Sequence, residues 1–142
     1  MEKYSRKKKQ LYHIFVDLEK AFDKVPRAAI QWALRRQQVP ERLVRLVMAL
    51  YTSSTSKVRV AGELSRVFQI DVGVHQGSAL SPLLFTVVME EATKLCRKGD
   101  PWELLYADDL ILTAETREEV LGMFDEWKHA LEQRRLRINK PK

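Results

Sequence analysis

The sequence has few of the features that mark membrane, secreted or disulfide-stabilised proteins. No uninterrupted apolar run approaches the roughly 20 residues needed to cross a bilayer, and the opening MEKYSRKKKQ has no apolar stretch of the kind a secretory signal requires. The lone Cys96 excludes an internal disulfide and is expected at a buried or half-buried helical position. Repeats, low-complexity segments and linkers are also lacking. We therefore expect one domain over residues 1–142, nuclear or cytoplasmic and not attached to a membrane.

What is present is typical of a globular domain with a basic surface. Hydrophobic residues make up 45% of the 142 residues and charged residues 31%. The net charge is +6, with basic clusters at both ends: Arg6, Lys7, Lys8, Lys9, Arg134, Arg135, Arg137, Lys140 and Lys142. Such a balance suits a polyanion such as a nucleic acid. Solvated surface charge is the alternative, and composition alone does not decide between the two.

Apolar periodicity in the first half predicts a strand, two helices and a hairpin. The strand runs from residue 11 to 16 and delivers Asp17 at its end. Pro26 is expected in the first turn of a helix, and Val39-Pro40 separates this helix from a second one that starts at Glu41. This second helix has an apolar face that we expect to lie against the core: Leu43, Val44, Leu46, Val47 and Leu50. Alternating residues over 57–72 then predict a β-hairpin.

The second half predicts two helices around an acidic hairpin. Ser81 is expected to be an N-cap with Pro82 at the first helical position, and this helix is expected to continue to Lys98, before Gly99. Two short apolar strands over 102–106 and 110–113 enclose an acidic turn, and Thr116 with Glu119 has the spacing of a capping box. Residues 137–139 begin a last strand. This order predicts an α+β fold in which helices pack on one face of an antiparallel sheet.

The acidic turn Asp108-Asp109 is the first candidate for chemistry. Two adjacent carboxylates repel one another unless a cation neutralises them, and Mg²⁺ prefers oxygen ligands. Asp17 ends a different strand and would complete a cluster if the two strands lie side by side. Three carboxylates could then bind two metal ions. The alternative is an ordinary hairpin turn, a role that aspartate often fills.

Three segments together resemble a known family. FVDLEKAFD at 15–23, GVHQGSALSPLLF at 73–85 and YADDL at 106–110 are similar to the three palm motifs of reverse transcriptases, in the same order. The resemblance covers nearly the whole chain. It is strongest to the enzymes of non-LTR (LINE-type) retrotransposons, and group II intron and retron enzymes are more distant. It implies a polymerase palm with a ferredoxin-like (RRM-like) core.

The resemblance also implies a catalytic site. Asp17 and Asp108 would be the principal metal ligands and Asp109 the second acid of the turn, with the carbonyl of Leu18 as a further ligand. The cofactors would be two Mg²⁺ (or Mn²⁺) ions. Other acids and histidines are not expected to be catalytic. Asp23 is expected to serve the start of the following helix, and His75 is too isolated to be part of a metal site.

Five residues would contact the nucleotide or primer. Phe22 would lie under the sugar, where it would clash with a 2′-hydroxyl and so favour deoxynucleotides. Gln76 and Gly77 would lie against the nascent base pair, because a residue without Cβ allows close approach. Tyr106 would shape the primer-end pocket, and Lys142 would lie near the triphosphate. The simpler alternatives are core packing for Phe22 and Tyr106 and a solvated terminal lysine for Lys142.

The implied function is RNA-directed DNA polymerisation, with an RNA template, a DNA primer and dNTPs as partners. The chain resembles only the palm, so the fingers are expected to be incomplete and the thumb absent, both being supplied by a longer polyprotein. The alternative is a truncated, catalytically incompetent nucleic-acid-binding or interaction module. An RNA-dependent RNA polymerase is disfavoured by Phe22 at the sugar position and by the Tyr-Ala-Asp-Asp turn.

Overall fold

The computed structural model describes residues 10–99 and 102–139. In chain order the elements are β1 (Tyr12–Asp17), α1 (Ala21–Lys24), α2 (Arg27–Arg36), α3 (Glu41–Thr52), β2 (Thr55–Ser56), β3 (Arg59–Val60), β4 (Glu63–Leu64), β5 (Phe68–Gln69), α4 (Leu80–Thr93), β6 (Glu103–Tyr106), β7 (Asp109–Ala114) and α5 (Arg117–Glu132). No helix in these ranges is long and apolar enough to span a membrane. The chain divides into two compact units, Phe22–Val88 and the remainder, Met1–Ala21 with Met89–Lys142.

The unit formed by the chain's two end portions contains a three-stranded antiparallel sheet in the order β1-β7-β6. Because side chains alternate between the faces of a sheet, Val16, Leu110 and Leu112 all lie on one face and are buried. Helix α5 covers that face with Met123 and Trp127, which belong to the same core cluster. The predicted packing of a helix on one face of an antiparallel sheet is therefore confirmed in this unit.

Helix α5 begins where the sequence predicts. The Thr116 hydroxyl accepts a hydrogen bond from the Glu119 backbone N–H, and the Glu119 carboxylate accepts one from the Thr116 backbone N–H, each at 3.2 Å. This reciprocal capping box satisfies two N–H groups that have no partner within the helix. It fixes the start of α5 immediately after β7.

Residues 137–139 return to the free edge of β1. Leu18 and Ile138 form an antiparallel bridge. The Glu19 N–H donates to the Arg137 carbonyl at 2.8 Å, and the Asn139 N–H donates to the Asp17 carbonyl at 2.8 Å. The last predicted strand is thus a short backbone pairing that lies beside the end of β1.

In the unit Phe22–Val88, α2 and α3 are separated at Val39-Pro40 as predicted. Arg35 near the end of α2 donates two hydrogen bonds to the Glu41 carboxylate, at 2.7 and 3.0 Å. The bond from Arg35 lowers the pKa of Glu41 from its ordinary value. The sequence predicted Pro26 in the first turn of α2, but Pro26 precedes the helix as its N-cap residue.

The predicted core-facing side of α3 is wrong in part. Val44 and Tyr51 are buried, whereas Leu43, Leu46 and Leu50 are 41%, 61% and 55% exposed. At about 100° per residue, the two buried residues lie close together on the helix, and the three leucines lie on an adjacent arc. The apolar side of α3 is therefore wider than the part of it that is buried, and the three leucines remain exposed.

The hairpin predicted over 57–72 is present but begins two residues earlier, at Thr55, and it has an outer and an inner pair of strands. β2 pairs with β5, and β3 pairs with β4. Ala61 and Gly62 connect β3 to β4 with φ values of 49° and 92°. Two consecutive positive φ values are typical of the type I′ turn that matches strand twist in a two-residue hairpin.

The start and end of α4 differ from the sequence prediction. The helix begins at Leu80 and ends at Thr93, so Ser81 lies inside it and is not its N-cap. The Ser81 hydroxyl instead donates to the His75 carbonyl at 2.6 Å, and this side chain is buried. Cys96 is half-buried as expected but lies beyond the end of the helix.

Candidate functional site

Two of the predicted carboxylates face one another at the end of the three-stranded sheet. Asp17 of β1 is the direct partner of Asp109 of β7. The Asp17 carbonyl accepts its hydrogen bond from Asn139, on the edge of β1 away from β7. Since the N–H and C=O of a strand residue lie on the same edge, Asp17 and Asp109 form a non-hydrogen-bonded pair. In such pairs the Cα atoms are about 4.5 Å apart and the side chains are closest.

Asp108 lies next to this pair in the turn between β6 and β7. Ala107 and Asp108 are the two turn residues, because Tyr106 pairs directly with Asp109. Ala107 has a φ of 54°, a conformation that a non-glycine residue adopts at a cost of about 1–3 kcal/mol. Asp108 is half-buried, whereas Asp17 and Asp109 are exposed. The tight turn therefore keeps Asp108 beside the end of the strand pair.

The backbone of Leu18 is oriented toward the same end of the sheet. Its flanking residues bond to the 137–139 segment through the Asp17 carbonyl and the Glu19 N–H. Because carbonyls alternate between the edges of a strand, the Leu18 carbonyl lies on the edge of β1 that faces β7. The Leu18 side chain is 3% exposed and belongs to the interior. Only its carbonyl is thus available to a ligand near the aspartates.

Asn139 is a residue of this site that the sequence analysis missed. Its carboxamide Nδ2 donates to the Asp17 carboxylate Oδ2 at 2.6 Å, and the two residues are 122 positions apart. In the sequence, Asn139 is distinguished only by its place in the segment LRINKPK, three residues before Lys142. Lys142 itself lies outside the described residues, so its predicted contact with the triphosphate has no structural description.

The three aspartates supply the oxygen ligands that a hard cation prefers, but their side chains are not gathered into a ready ligand set. Like charges placed directly opposite on neighbouring strands are destabilising, and a divalent cation would remove that repulsion. The available donors are all oxygens, which suits Mg²⁺ or Mn²⁺. Within residues 10–99 and 102–139, no three acidic, histidine or cysteine side chains already converge as a ready-made ligand set. The donor types of Asp17, Asp108 and Asp109 therefore suit a divalent cation.

Tyr106 is not packed as the simpler interpretation expected. Its side chain is 84% exposed, and Phe15, two residues before Asp17 on β1, is 77% exposed. Both aromatic rings are therefore left uncovered near the acidic end of the sheet.

Three of the predicted nucleotide contacts line one cavity in the unit Phe22–Val88. The cavity has a volume of about 510 Å³ and is lined by Phe22, Val74, His75, Gln76, Gly77, Ser78, Ala79, Ser81 and Pro82. Phe22 is half-buried and packs its ring 4.5 Å from that of Phe85. Gly77 has a φ of 81°, and a Cβ added there would meet open space. The wall at Gly77 is thus free for close approach by a ligand.

The cavity depends on a close pairing of residues 22–26 with residues 72–76. The Val74 N–H donates to the Phe22 carbonyl, and the Gly73 N–H donates to the Val25 carbonyl, both at 2.9 Å. A Cβ on Gly73 would lie 2.5 Å from the Asp23 carbonyl oxygen. Glycine is therefore required at position 73 by both this contact and its φ of 79°.

Asp23 has a different role from the one expected of it. Gln76 donates from Nε2 to the Asp23 carboxylate Oδ1 at 2.6 Å. An ionised carboxylate only accepts hydrogen bonds, so the amide nitrogen of Gln76 must face Asp23 and its carbonyl oxygen is left for another partner. Asp23 thus orients a side chain that lines the cavity.

His75 connects the cavity loop to α3. Its ring lies 4.6 Å from the ring of Tyr51, and its Nε2 lies 2.9 Å from the Ser54 hydroxyl. Its backbone carbonyl accepts the bond from Ser81. The three contacts fix the loop on both sides of Gln76.

Comparison with known proteins now identifies the family. The family model described as reverse transcriptase (RNA-dependent DNA polymerase) matches residues 1–142. The chain belongs to the reverse transcriptase family. The resemblance stated from the three motifs is therefore confirmed.

Relatives of this reverse transcriptase segment include two groups of retrotransposon protein. It is 36% identical over 118 residues to a retrovirus-related Pol polyprotein from a type-1 retrotransposable element R2 of Nasonia vitripennis, covering 78% of the chain and 12% of that polyprotein. It is 28% identical over 135 residues to the RNA-directed DNA polymerase from mobile element jockey of Drosophila funebris, covering 85% of the chain and 15% of that protein. The segment thus spans a small part of the length of these relatives.

Solved structures of telomerase share the fold. The apo telomerase of Candida tropicalis, truncated from its C-terminal domain, superposes with a TM-score of 0.70 at 15% identity, over 96% of this chain and 31% of the telomerase chain. The telomerase of the same organism in complex with a fragment of telomeric RNA gives a TM-score of 0.72 at 14% identity, over 96% and 26%. At such identities the similarity concerns the fold alone.

Proposed function

We propose that this chain is the catalytic palm of an RNA-directed DNA polymerase from a non-LTR retrotransposon. It would transfer nucleotides from dNTPs to the 3′-hydroxyl of a DNA primer on an RNA template, as part of a longer polyprotein. The single observation that carries the proposal is the direct pairing of Asp17 with Asp109, with Asp108 in the adjoining turn, in a member of this family. We extend the proposal to one palm domain over residues 1–142 with a ferredoxin-like core.

Two Mg²⁺ or Mn²⁺ ions would be held by the carboxylates of Asp17, Asp108 and Asp109, with the Leu18 carbonyl as an additional ligand. In this class of chemistry the ions activate the attacking hydroxyl and stabilise the leaving pyrophosphate. The contribution of the chain itself is to hold Asp17 and Asp109 opposite one another on two paired strands, in spite of the repulsion between their carboxylates. A rigid strand pair is a precise support for such a site.

The cavity beside Phe22 would receive the incoming nucleotide. Phe22 packs its ring 4.5 Å from that of Phe85, and at the sugar position this ring would exclude a 2′-hydroxyl. Gln76, oriented by Asp23, offers a hydrogen-bond acceptor, and Gly77 allows the base pair to approach the backbone. Tyr106 would contact the primer end, because its exposed ring lies directly beside Asp109.

Metal-dependent stability tests the carboxylate site. A ligand present at 100 times its dissociation constant, bound only by the folded state, raises the free energy of unfolding by about 2.7 kcal/mol. We expect Mg²⁺ or Mn²⁺ to raise the melting temperature of the wild-type chain but not of Asp108→Asn with Asp109→Asn. A matched control is Asp125→Asn with Glu126→Gln, which also removes two adjacent acids, here on α5. Equal melting temperatures with and without metal in the wild type would contradict the site.

Polymerisation is tested by grafting. Residues 10–139 replace the matching segment of the Nasonia R2 polyprotein, and extension of a DNA primer on an RNA template is measured with dNTPs. We expect extension that is lost in Asp108→Asn with Asp109→Asn and that remains selective against ribonucleotides. If the graft folds and binds metal but does not extend primers, while the parent polyprotein does, the polymerase proposal fails. Retained RNA binding would then favour the alternative of a non-catalytic binding module.

A further inference from the structure

The Asp17 carboxylate is held by a neutral donor from the opposite end of the chain. Asn139 Nδ2 lies 2.6 Å from Asp17 Oδ2, and the backbone of Asn139 is bonded to the Asp17 carbonyl at 2.8 Å. We propose that Asn139 is a positioning residue for metal binding: it fixes the rotamer of Asp17 so that the second carboxylate oxygen is presented toward Asp109. This inference rests on the proposed metal site.

In the hydrogen bond between Asn139 and Asp17, only Asn139 can be the donor. An ionised aspartate only accepts hydrogen bonds, and the amide nitrogen of asparagine only donates them. The bond therefore uses Oδ2 of Asp17, and within residues 10–99 and 102–139 no side chain bonds Oδ1, which a cation could then use. Partners that hydrogen-bond a ligating carboxylate orient it, and their loss costs typically about 10- to 100-fold in metal affinity.

A neutral donor suits this position better than a cation would. A lysine or arginine at position 139 would place a positive charge beside Asp17, where it would compete with the metal ion for the carboxylate. An amide orients the carboxylate without neutralising it. The repulsion between Asp17 and Asp109 is therefore left in place, and only a bound cation would remove it.

The side chains of Asp17 and Asn139 are both exposed, but backbone hydrogen bonds keep the two residues beside one another. The bridge between Leu18 and Ile138 and the bond from the Glu19 N–H to the Arg137 carbonyl place residue 139 directly beside residue 17. The side-chain bond thus needs only the choice of a rotamer at each residue. A surface contact without such backbone support would be lost to water much more readily.

The test measures Mn²⁺ affinity directly, by the electron paramagnetic resonance signal of free Mn²⁺, in the 142-residue chain. We expect Asn139→Ala to weaken binding by about 10- to 100-fold. Asn139→Asp keeps the shape but cannot donate while ionised, so it is expected to lose the orienting bond as well. Asn139→Gln keeps the donor on a longer side chain and is expected to recover part of the affinity. Gln133→Ala removes an exposed amide that contacts His129 instead of an acid and should bind Mn²⁺ like the wild type.

The outcomes separate this inference from the proposed function. Absence of Mn²⁺ binding by the wild type would overturn both. Wild-type binding that is matched by Asn139→Ala and Asn139→Asp would overturn the role of Asn139 and leave the metal site standing. Metal-free melting curves identify a variant that has lost its fold. If Asn139→Ala is such a variant, the comparison of Asn139→Asp with Asn139→Gln decides, and equal affinities for those two would overturn the inference.

Discussion

Replacing Gly73 by alanine should damage the cavity beside Phe22 and the unit that carries it. The added Cβ would lie 2.5 Å from the Asp23 carbonyl oxygen and 2.8 Å from its carbon, and both atoms belong to the backbone. The neighbouring backbone is held in turn by the bonds from Gly73 to Val25 and from Val74 to Phe22. Neither side can therefore move without breaking hydrogen bonds, and the clash cannot be relieved by a change of rotamer.

The magnitude follows from two contributions. A left-handed conformation costs an L-residue about 1–2 kcal/mol, and overpacking a tight contact costs typically about 1–3 kcal/mol. Together they predict a loss of roughly 2–5 kcal/mol in the free energy of unfolding. For a chain of this size that loss corresponds to a fall of about 5–15 °C in the melting temperature.

The assay is urea denaturation followed by circular dichroism, with Gly122→Ala as the matched control. Gly122 lies inside α5, and a Cβ there would meet open space. Alanine is the better helix former, so the control is expected to gain about 0.5–1 kcal/mol. If Gly73→Ala were as stable as the wild type while the control behaved as expected, the close pairing of residues 22–26 with residues 72–76 would be refuted.

Two further predictions concern other residues. Asp23→Ala releases the Gln76 carboxamide, and an ordinary hydrogen bond is worth about 0.5–1.5 kcal/mol. We therefore expect the KM for dNTPs to rise about 3- to 10-fold in the grafted polymerase. An unchanged KM would contradict the orienting role of Asp23. Burial, and then the negative charge of Glu126, raise the pKa of the Cys96 thiol. Alkylation by iodoacetamide near pH 8 should therefore be slower than for a free cysteine and should accelerate at higher pH, whereas a rate equal to that of glutathione would contradict it.

Features that depend on residues close together in the chain could be predicted from the sequence. The strand ending at Asp17 and the capping box of Thr116 with Glu119 are fixed by local periodicity and local hydrogen bonds. The acidic turn lies where it is predicted but is one residue shorter, because Asp109 is the first residue of β7. The site prediction for Asp17 beside Asp109 needed one further assumption, that β1 and β7 are neighbours, and the register confirms this. The metal ions that these residues would hold stay a prediction.

The start of α4 shows where local patterns failed. Ser81 followed by Pro82 has the sequence of an N-cap, but the helix begins at Leu80, two residues before the predicted first helical residue, and the Ser81 hydroxyl donates to the His75 carbonyl. The exposed leucines of α3 show a second limit. Helical periodicity identifies an apolar arc, but what covers that arc depends on the elements packed against it.

The sequence by itself determined which residue types the site contains and at which strand end and turn they lie. Only the tertiary structure decided which partners orient them. Asn139 reaches Asp17 across 122 positions, and Gln76 reaches Asp23 across 53. Such pairs follow from strand register and loop closure, which set the distances between remote residues and leave no periodic trace in the sequence.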